Sequence, residues 1–415
     1  MKACLHVSVL TLLLMVPATL GLEDGRIGVL YVGCMARSRP FWDMRSDMLF
    51  SLNFVQATTR DWGAWGPIQQ VDESVESTSR MVRLYMPRTL RDLTEKFDVV
   101  AMANANRFAV GQKYTEMLAQ GVRENNISFF MGGGWESFGG SFGRPDWGET
   151  SLGALIPTEN VVDSWIQYPG GAFRVVIEEK EHEFISSIPW DDKQPFSRNY
   201  HHNLVRPKSG SEVLATVESV SFSGHPAFIT WDLPGQTRVF AMTGEIHVMS
   251  SGDAWEYAID VGANLMIYLD GRPVPQDVEV VHSLRMKMSQ VATRKSLLLS
   301  LLEFCDSFGA NTQKVVDEVD EVERVIWDSR PIYFDLRFAE MLEIYNDVDE
   351  ILKTAEINAV ELKERALLWV YIIEWLAVTG TSLATGFILW TVMVRRRLYR
   401  EVRTTKLSEY ALEER

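Results

Sequence analysis

The chain has 415 residues, of which 46% are hydrophobic and 23% are charged. These fractions are typical of folded proteins and exclude a largely disordered chain, and the length accommodates one large domain with accessory segments or two average domains. The formal net charge of -15 argues against a nucleic-acid-binding protein, which would carry basic patches.

The N-terminus has the layout of a secretory signal peptide. Lys2 precedes an apolar run from Val7 to Val16, and a Pro-Ala break and small residues follow, ending at Gly21. We therefore predict a signal peptide over residues 1–21, with cleavage after Gly21. The alternative for the apolar run is a short buried helix.

Residues 22–275 are predicted to form an α/β domain. The apolar runs "RIGVLYVG", "FDVVAMAN" and "ISFFMGGG" predict buried strands, with a helix from about Val110 to Asn125 before the third. Strands separated by helices indicate a mainly parallel sheet that is covered on both faces. The later runs "AFRVVIEE", "EVLATVES", "PAFITWD" and "TRVFAMTG" predict strands joined by tight turns, and "AWEYAIDVGANLMIYL" predicts a closing helix.

Residues 282–366 are predicted to form a helical stalk, either a hairpin or a coiled coil. The "DSRP" stretch predicts a helix break at Pro331, because the residue before proline avoids the helical region. Beyond it, apolar residues alternate three and four positions apart, which is a heptad seam. The seam consists of Phe338, Met341, Tyr345, Val348, Leu352, Ala355, Ala359, Leu362, Ala366, Trp369 and Ile373. It fits packing within one chain as well as it fits coiling between chains.

Residues 367–395 are predicted to hold one transmembrane helix. Within them Trp375–Val394 has no charged side chain and is about long enough to cross a bilayer. The alternative is a buried helix of a soluble protein. The triple arginine that begins at Arg395 follows, and positive residues stay on the cytoplasmic side. We therefore predict a single-pass protein of the cell membrane, with the N-terminal domain outside and residues 396–415 as a cytoplasmic tail.

Small residues four positions apart lie inside the predicted span, at Gly380/Ala384 and Ser382/Gly386. This spacing permits close helix approach, so a homo-oligomer through the stalk and the transmembrane helix is possible.

Removal of the signal peptide would leave Cys34 and Cys305, in different predicted segments. Two buried thiols are favoured over a disulfide, which stays open as the alternative. No CxxC or Cys/His spacing suggests structural zinc. We predict no metal and no cofactor.

The glycine-rich stretch "GGGWESFGG", with "ETSLGALIPT" after it, resembles the putative glutamine amidotransferase family. This family belongs to the class I glutamine amidotransferase-like superfamily, near trehalose-utilisation-like proteins. The matching positions are Gly132, Gly133, Ser137, Phe138, Gly139, Gly140, Thr150, Leu155 and Pro157. Further matches are "EHEFISSIPW", "NYHHNLVRPKSGSEVLATV" and "HPAFITWDLPGQTRVFAMTGEI", so the resemblance covers about residues 25–272. It implies a flavodoxin-like α/β fold.

The superfamily's chemistry uses a cysteine on a strand–helix turn together with a later histidine and glutamate. Here the cysteine position falls on a glycine of "FFMGGGWE". In "VFAMTGEIH", Thr243 stands near the histidine position and Glu245 near the glutamate position. The turn is kept and the nucleophile is absent, so we expect no glutaminase activity.

Other side chains remain candidate catalytic residues. Ser137 lies in the glycine-rich turn, although its hydroxyl more often caps a helix or turn. Cys34 follows the first strand, at the sheet edge where open α/β folds bind ligands, although a buried small side chain is the default. Glu245 and His247, with Asp253, follow the strand where the superfamily places its histidine; polar loop residues are the alternative.

A ligand is expected to bind at the glycine-rich turn, through residues Gly132, Gly133, Gly134, Trp135 and Ser137. Backbone amides at a helix start can hold an anion. Tryptophans near glycines could stack on sugar rings or simply anchor loops by burying area. These tryptophans are Trp62, Trp65, Trp135, Trp147 and Trp255.

The sequence therefore predicts a membrane-anchored, extracytoplasmic amidotransferase-like domain that binds a small molecule or an envelope protein. Two alternatives stay open. The first is an envelope carbohydrate-processing hydrolase that uses His247, Glu245 and Asp253, which would converge near Gly133 and Ser137. The second is a structural head of a membrane assembly that the stalk organises.

Overall fold

A computed structural model of the protein describes residues 25–35, 38–61, 71–168, 173–190, 200–219, 224–235, 237–246 and 255–413. These residues form two compact units. The first unit comprises the described residues up to Gln290 together with Asp328–Tyr345, and the second comprises Val291–Trp327 and the described residues from Asn346 onward.

The strands are short in the loops and five to eight residues long in the main sheet. They are β1 (Ile27–Gly33), β2 (Phe50–Gln56), β3 (Arg60–Asp61), β4 (Val71–Asp72), β5 (Val99–Ala103), β6 (Ser128–Gly132), β7 (Thr158–Asn160), β8 (Ile166–Tyr168), β9 (Phe173–Ile177), β10 (Tyr200–His202), β11 (Val205–Pro207), β12 (Glu212–Ser219), β13 (His225–Asp232) and β14 (Arg238–Met242).

The helices are shorter in the first part of the chain and much longer after residue 278. They are α1 (Arg39–Asp43), α2 (Val75–Tyr85), α3 (Leu90–Lys96), α4 (Arg107–Glu124), α5 (Glu183–Ser186), α6 (Ala258–Asp270), α7 (Val278–Ser307), α8 (Gln313–Phe334) and α9 (Phe338–Glu413). A 3₁₀ turn, Met44–Ser46, follows α1.

A mixed sheet of eight strands forms the centre of the first unit, as far as the structure describes it. Its order is β2-β1-β5-β6-β14-β13-β12-β9. The first five strands are parallel, and β13, β12 and β9 extend the sheet antiparallel. The predicted α/β domain is therefore confirmed as a mixed α/β sheet domain, with a β-rich second half.

Both faces of the sheet are buried, which is why β1, β5 and β6 are apolar without alternation. On one face, Leu30 and Phe129 pack in a core shared with residues of α2, α3 and α4. On the other face a chain of aromatic rings runs from Tyr31 through Phe41 and Phe130.

The helix predicted from about Val110 begins earlier, at Arg107, because Asn106 caps it. The Asn106 side chain accepts hydrogen bonds from the amides of Phe108 and Ala109 at 3.0 and 3.1 Å. The prediction used only the spacing of apolar residues and did not consider this cap, so it started the helix too late.

The predicted break at Pro331 is wrong, since α8 continues through this proline to Phe334. Proline removes one backbone hydrogen bond, and here it does so within the last turns of the helix. The following turn is held by the packing of Tyr333, which is buried and donates a hydrogen bond to Asp47 at 2.8 Å. The helix instead ends before Leu336, whose φ is 59°.

The second unit contains parts of α7, α8 and α9. Ion pairs and hydrogen bonds join the three helices: Arg294 of α7 pairs with Glu356 of α9 at 2.7 Å, Lys295 of α7 pairs with Glu323 of α8 at 2.8 Å, and Asn358 of α9 donates to Glu318 of α8 at 2.7 Å. The stalk residues thus pack against helices of their own chain.

The heptad seam is buried in its first part and exposed in its last. Its members from Phe338 to Ala359, and Ala366, are buried. Trp369 and Ile373 are 64% and 62% exposed. The seam therefore packs within the chain up to Ala366, and the apolar residues beyond that point have no cover from the described part of this chain.

Helix α9 carries an apolar stretch long enough to cross a membrane, and it is the one helix with this property among the described residues. The apolar side chains of this stretch, such as Trp375, Leu383 and Ile388, are largely exposed. A long, exposed and apolar C-terminal helix is compatible with a single-pass membrane protein.

Candidate functional site

The carboxyl ends of β5, β6 and β14 meet at one edge of the sheet, where open α/β folds bind ligands. Residues Gly132–Ser137, here called the glycine turn, leave β6 at this edge. The Gly133 amide donates to the Gly244 carbonyl oxygen at 3.0 Å. The Gly134 amide donates to the Asn203 side chain at 2.9 Å. Two of the three amides predicted to hold an anion, those of Gly133 and Gly134, are thus bonded within the protein.

The glycine turn has no room for side chains at its centre. A Cβ atom at Gly133 would lie 2.1 Å from the carbonyl oxygen of Thr243. At Gly134 it would lie 2.6 Å from Cβ of Asn104, and the φ of Gly134 is 154°. A cysteine at either position would therefore require the backbone or the Asn104 side chain to move.

Ser137 is buried and holds two strand ends together. Its Oγ accepts a hydrogen bond from the Asn104 amide at 2.8 Å. In return, the Asn104 side chain accepts from the Glu136 amide at 2.8 Å. Asn104 adopts a φ of 51°, a conformation that Asn tolerates better than most residues. This geometry gives Ser137 the role of a turn-stabilising hydroxyl.

Glu136 is the most deeply buried carboxylate of this edge. It accepts hydrogen bonds from the Thr59 amide at 2.8 Å and from the Asn106 side chain at 2.6 Å, and the Thr59 hydroxyl donates to it as well. Arg144 Nε lies 3.6 Å from its Oε1. Burial raises the pKa of Glu136, while the hydrogen bonds and the Arg144 charge oppose that shift.

Glu136 was missed in the sequence, because an acidic residue beside glycines in a turn is usually solvent-exposed. The one available signal was its position, directly before Ser137 in the turn that carries the resemblance. The hydrogen bonds fix the carboxylate between the loop after β2 and the start of α4. It holds these segments together.

Thr243, which the resemblance puts near the superfamily's histidine position, is buried. Thr243 donates its hydroxyl hydrogen to the Pro226 carbonyl oxygen at 2.9 Å. Glu245 is buried two residues later. His247 and Asp253 lie outside the described residues, so the convergence expected of them with Glu245 stays a prediction.

A histidine that sequence reasoning did not select lies beside this strand end. His202 is buried and forms an isolated bridge with Gly244. Burial, together with the nearby His225, lowers the pKa of His202 to about 3. Its ring is 5.7 Å from that of His225. His202 is therefore neutral at physiological pH.

Cys34 is buried at the end of β1. Its amide donates to the Ala103 carbonyl oxygen at 3.0 Å, and its own carbonyl oxygen accepts from the Tyr31 hydroxyl at 3.0 Å. Cys305, in the second unit, is also a buried thiol. Burial of both thiols agrees with the favoured prediction.

The tryptophans of the described loops act as anchors. Trp147 is fully buried, and its indole N–H donates to the carbonyl oxygens of Ala105 at 2.9 Å and Glu136 at 3.0 Å. Trp255 is buried against Trp190, with ring centroids 5.4 Å apart. Trp135 is half-buried. Trp62 and Trp65 lie outside the described residues.

Within the described part of the chain, no group of three or more His, Cys, Asp or Glu side chains is arranged to hold a metal ion. The described part of this edge thus offers buried hydrogen-bonding groups, including the Glu136 carboxyl group, rather than a set of metal ligands.

No family model and no curated protein matches the chain. Among solved structures, a cytoplasmic protein of Salmonella typhimurium is 12% identical with a TM-score of 0.45, over 59% of this chain and 99% of the other. A second cytoplasmic protein, from Salmonella typhimurium LT2, is 15% identical with a TM-score of 0.42, over 58% and 98%. The carbohydrate deacetylase Agd3 is 8% identical with a TM-score of 0.34, over 59% and 32%. All three TM-scores lie below 0.5, so the proposal that follows depends on the residues of the site.

Proposed function

We propose that this chain is a membrane-anchored, extracytoplasmic domain of the class I amidotransferase-like type that has no glutaminase activity and binds a ligand or a protein partner. The observation that carries this proposal is the closed glycine turn. Gly133 and Gly134 stand where the superfamily has its nucleophile, and the Thr243 carbonyl and the Asn104 side chain occupy the space that a side chain would need.

The strand order supports a flavodoxin-like class. Numbered along the chain, the five parallel strands β2-β1-β5-β6-β14 have the order 2-1-3-4-5, which is the flavodoxin-like order. The glycine turn follows the fourth of these strands and Thr243 follows the fifth. These are the places where the resemblance puts the cysteine and the histidine.

Amide hydrolysis by this superfamily needs a thiolate and a base within hydrogen-bonding reach of it. A threonine hydroxyl cannot act as that base at neutral pH, and the Thr243 hydroxyl already donates to Pro226. Ser137 could not replace the cysteine without exposure, because its Oγ is buried and accepts from a backbone amide. Neither part of the amidotransferase mechanism is therefore available at the turn.

Helix α9 supports the membrane anchor and its orientation. Trp375–Val394 comprises 20 residues, or about 30 Å of helix, which matches the hydrocarbon thickness of a bilayer. Trp375 at one end and Trp390 near the other are exposed, as interfacial tryptophans are. The arginines at 395–397 favour a cytoplasmic C-terminus, which supports the proposal that the sheet domain is outside.

The enzymatic part is tested by ammonia release from L-glutamine, with the full chain purified in detergent. We expect no release above that of a heat-denatured sample. Glutamine-dependent release that disappears in Cys34→Ser or Ser137→Ala would contradict the proposal.

The membrane part is tested in a bacterial host that produces the chain with a C-terminal tag. We expect the tag to stay in the membrane fraction after alkaline carbonate extraction. Protease added to spheroplasts should leave a short tagged fragment. An intact chain after proteolysis, despite cleavage once detergent is added, would show that the sheet domain is inside.

A further inference from the structure

A cleft of about 460 Å³ lies at the start of α4, within the first unit. One wall is formed by α4 residues, including Arg107, Phe108 and Gln112, and the other by the loop from Glu149 to Ser151. Helix α4 begins directly after β5, so the cleft belongs to the carboxyl side of the sheet, where open α/β folds bind ligands. Its volume falls within the range of about 300–1,000 Å³ that small-molecule sites occupy.

Gly111 interrupts α4 inside this cleft. Its φ of 76° and ψ of 160° are not helical, and a Cβ atom added there would meet no atom within 4 Å. The glycine is therefore required by the backbone conformation and not by packing.

The two walls are fixed to each other and to the core. Arg107 pairs with Glu149 at 2.9 Å and also donates to the Asp146 carbonyl oxygen. Thr150 donates its hydroxyl hydrogen to the carbonyl oxygen of the buried Trp147 at 2.7 Å. A site held in this way loses little conformational entropy when a ligand binds.

The charges of the cleft disfavour an anion. Its lining has one guanidinium group, on Arg107, and two carboxylates, on Glu116 and Glu149. The guanidinium is already paired with Glu149, and Glu116 accepts from the Gln112 amide at 2.7 Å. The cleft does not suit a metal ion either, because both of its carboxylates already have a partner: Glu149 pairs with Arg107, and Glu116 accepts from Gln112.

The remaining chemistry suits a neutral, polyhydroxylated ring. The Gln112 amide can donate its second N–H to ligand hydroxyl groups and accept from them at its oxygen. The Glu116 carboxylate and the remaining lone pair of the Thr150 hydroxyl can accept from such groups. Phe108 is 58% exposed at the cleft, and an aromatic face can pack against the C–H face of a sugar ring. We propose that this cleft binds a neutral saccharide, an inference that rests on the binding function proposed above.

The test is saturation-transfer difference NMR on the full chain with a fixed panel of neutral saccharides: glucose, galactose, N-acetylglucosamine, maltose, cellobiose and chitobiose. The chain is kept in a detergent without a sugar head group. Phe108→Ala and Gln112→Ala are the cleft variants. Tyr85→Ala is the matched control, because its ring is 60% exposed on α2 and does not line the cleft. Melting curves establish that each variant is folded.

We expect at least one saccharide to show transfer to its ring C–H protons, with affinity about tenfold lower in both cleft variants and unchanged in the control. No transfer to any member of the panel, or equal affinity in all variants, overturns the inference. Tighter binding of glucose 6-phosphate than of glucose also overturns it. If no saccharide binds and no ammonia is released from glutamine, the saccharide inference fails but the proposed absence of glutaminase activity is unaffected. If ammonia is released, the proposed function is contradicted, whether or not a saccharide binds.

Discussion

Arg285 of α7 and Asp260 of α6 form an ion pair of 2.8 Å in which the side chains are 1% and 3% exposed. Arg285 also pairs with Asp47 at 3.3 Å, and Asp47 accepts from the Tyr333 hydroxyl of α8 at 2.8 Å. His282 lies 2.7 Å from the other oxygen of Asp260. Burial raises the pKa of Asp47, and the Arg285 charge opposes that shift. One cation therefore compensates two buried carboxylates within the first unit.

Replacement of Arg285 by alanine should destabilise the first unit by about 3–5 kcal/mol, because it leaves buried carboxylates without their counter-charge. Chemical unfolding followed by tryptophan fluorescence measures this loss. Arg88→Ala, which removes an exposed arginine, should change stability by less than about 0.5 kcal/mol. Equal effects of the two substitutions would show that the buried network contributes nothing.

Stability of the first unit should fall as the pH rises from about 4 to about 7. Burial raises the pKa of Asp270 to about 7 and that of Asp98 to about 6, from the ordinary aspartate value of 3.8. Between the unfolded-state pKa and the raised folded-state pKa, the folded protein holds protons that the unfolded chain has released. Stability that is present at low pH is therefore lost as the pH rises to about 7. Asp270→Asn should make this decline shallower, while Glu181→Gln, at an exposed carboxylate, should not. Melting temperatures across this range decide the point, and an unchanged slope in Asp270→Asn would contradict it.

Gly134→Ala should destabilise the first unit by roughly 3 kcal/mol or more, because the new methyl group meets the Asn104 side chain and the backbone has a positive φ. Gly143 also has a positive φ, 74°, but open space around its Cβ position. Gly143→Ala should therefore cost only about 1–2 kcal/mol. Equilibrium unfolding compares the two. A Gly134→Ala variant as stable as Gly143→Ala would show that the glycine turn can accept a side chain, and would weaken the case against a nucleophile there.

Ala355→Glu should disrupt the second unit, because Ala355 is fully buried in the seam and a glutamate there would be an unpaired buried charge. Ile357→Glu, two residues along the same helix, replaces a side chain that is 63% exposed and should change stability by less than about 0.5 kcal/mol. Circular dichroism melting gives the stability, and light scattering gives the oligomeric state. Dissociation of an oligomer by Ala355→Glu, without a lower melting temperature, would favour coiling between chains over packing within one.

The sheet and the glycine turn could be predicted from the sequence because their signals are local. Buried parallel strands are short apolar runs, and the turn is a cluster of glycines after one of them. The mixed α/β domain and the apolar C-terminal helix follow directly from such runs. The heptad seam could also be predicted from the sequence. Its spacing, however, does not distinguish packing against helices of the same chain from coiling with a second chain.

The rest depends on contacts between residues far apart in the chain. The network around Arg285 joins Asp47 to Tyr333, which are 286 positions apart, and no local pattern predicts that pairing. Glu136 was overlooked because its burial is created by Thr59 and Asn106, which lie on other segments. The predicted helix break at Pro331 was wrong because the tertiary packing of Tyr333 outweighs the weak local signal that a proline gives for a helix end.

The most direct test of the central claim is covalent labelling of the full chain with 6-diazo-5-oxo-L-norleucine, a glutamine analogue whose diazoketone alkylates an activated nucleophile in a glutaminase site. Intact-mass spectrometry followed by peptide mapping detects the adduct. The closed glycine turn predicts no adduct after incubation at neutral pH in the folded protein. A single stoichiometric adduct that maps to Cys34 or Ser137, and that excess glutamine prevents, would contradict the account.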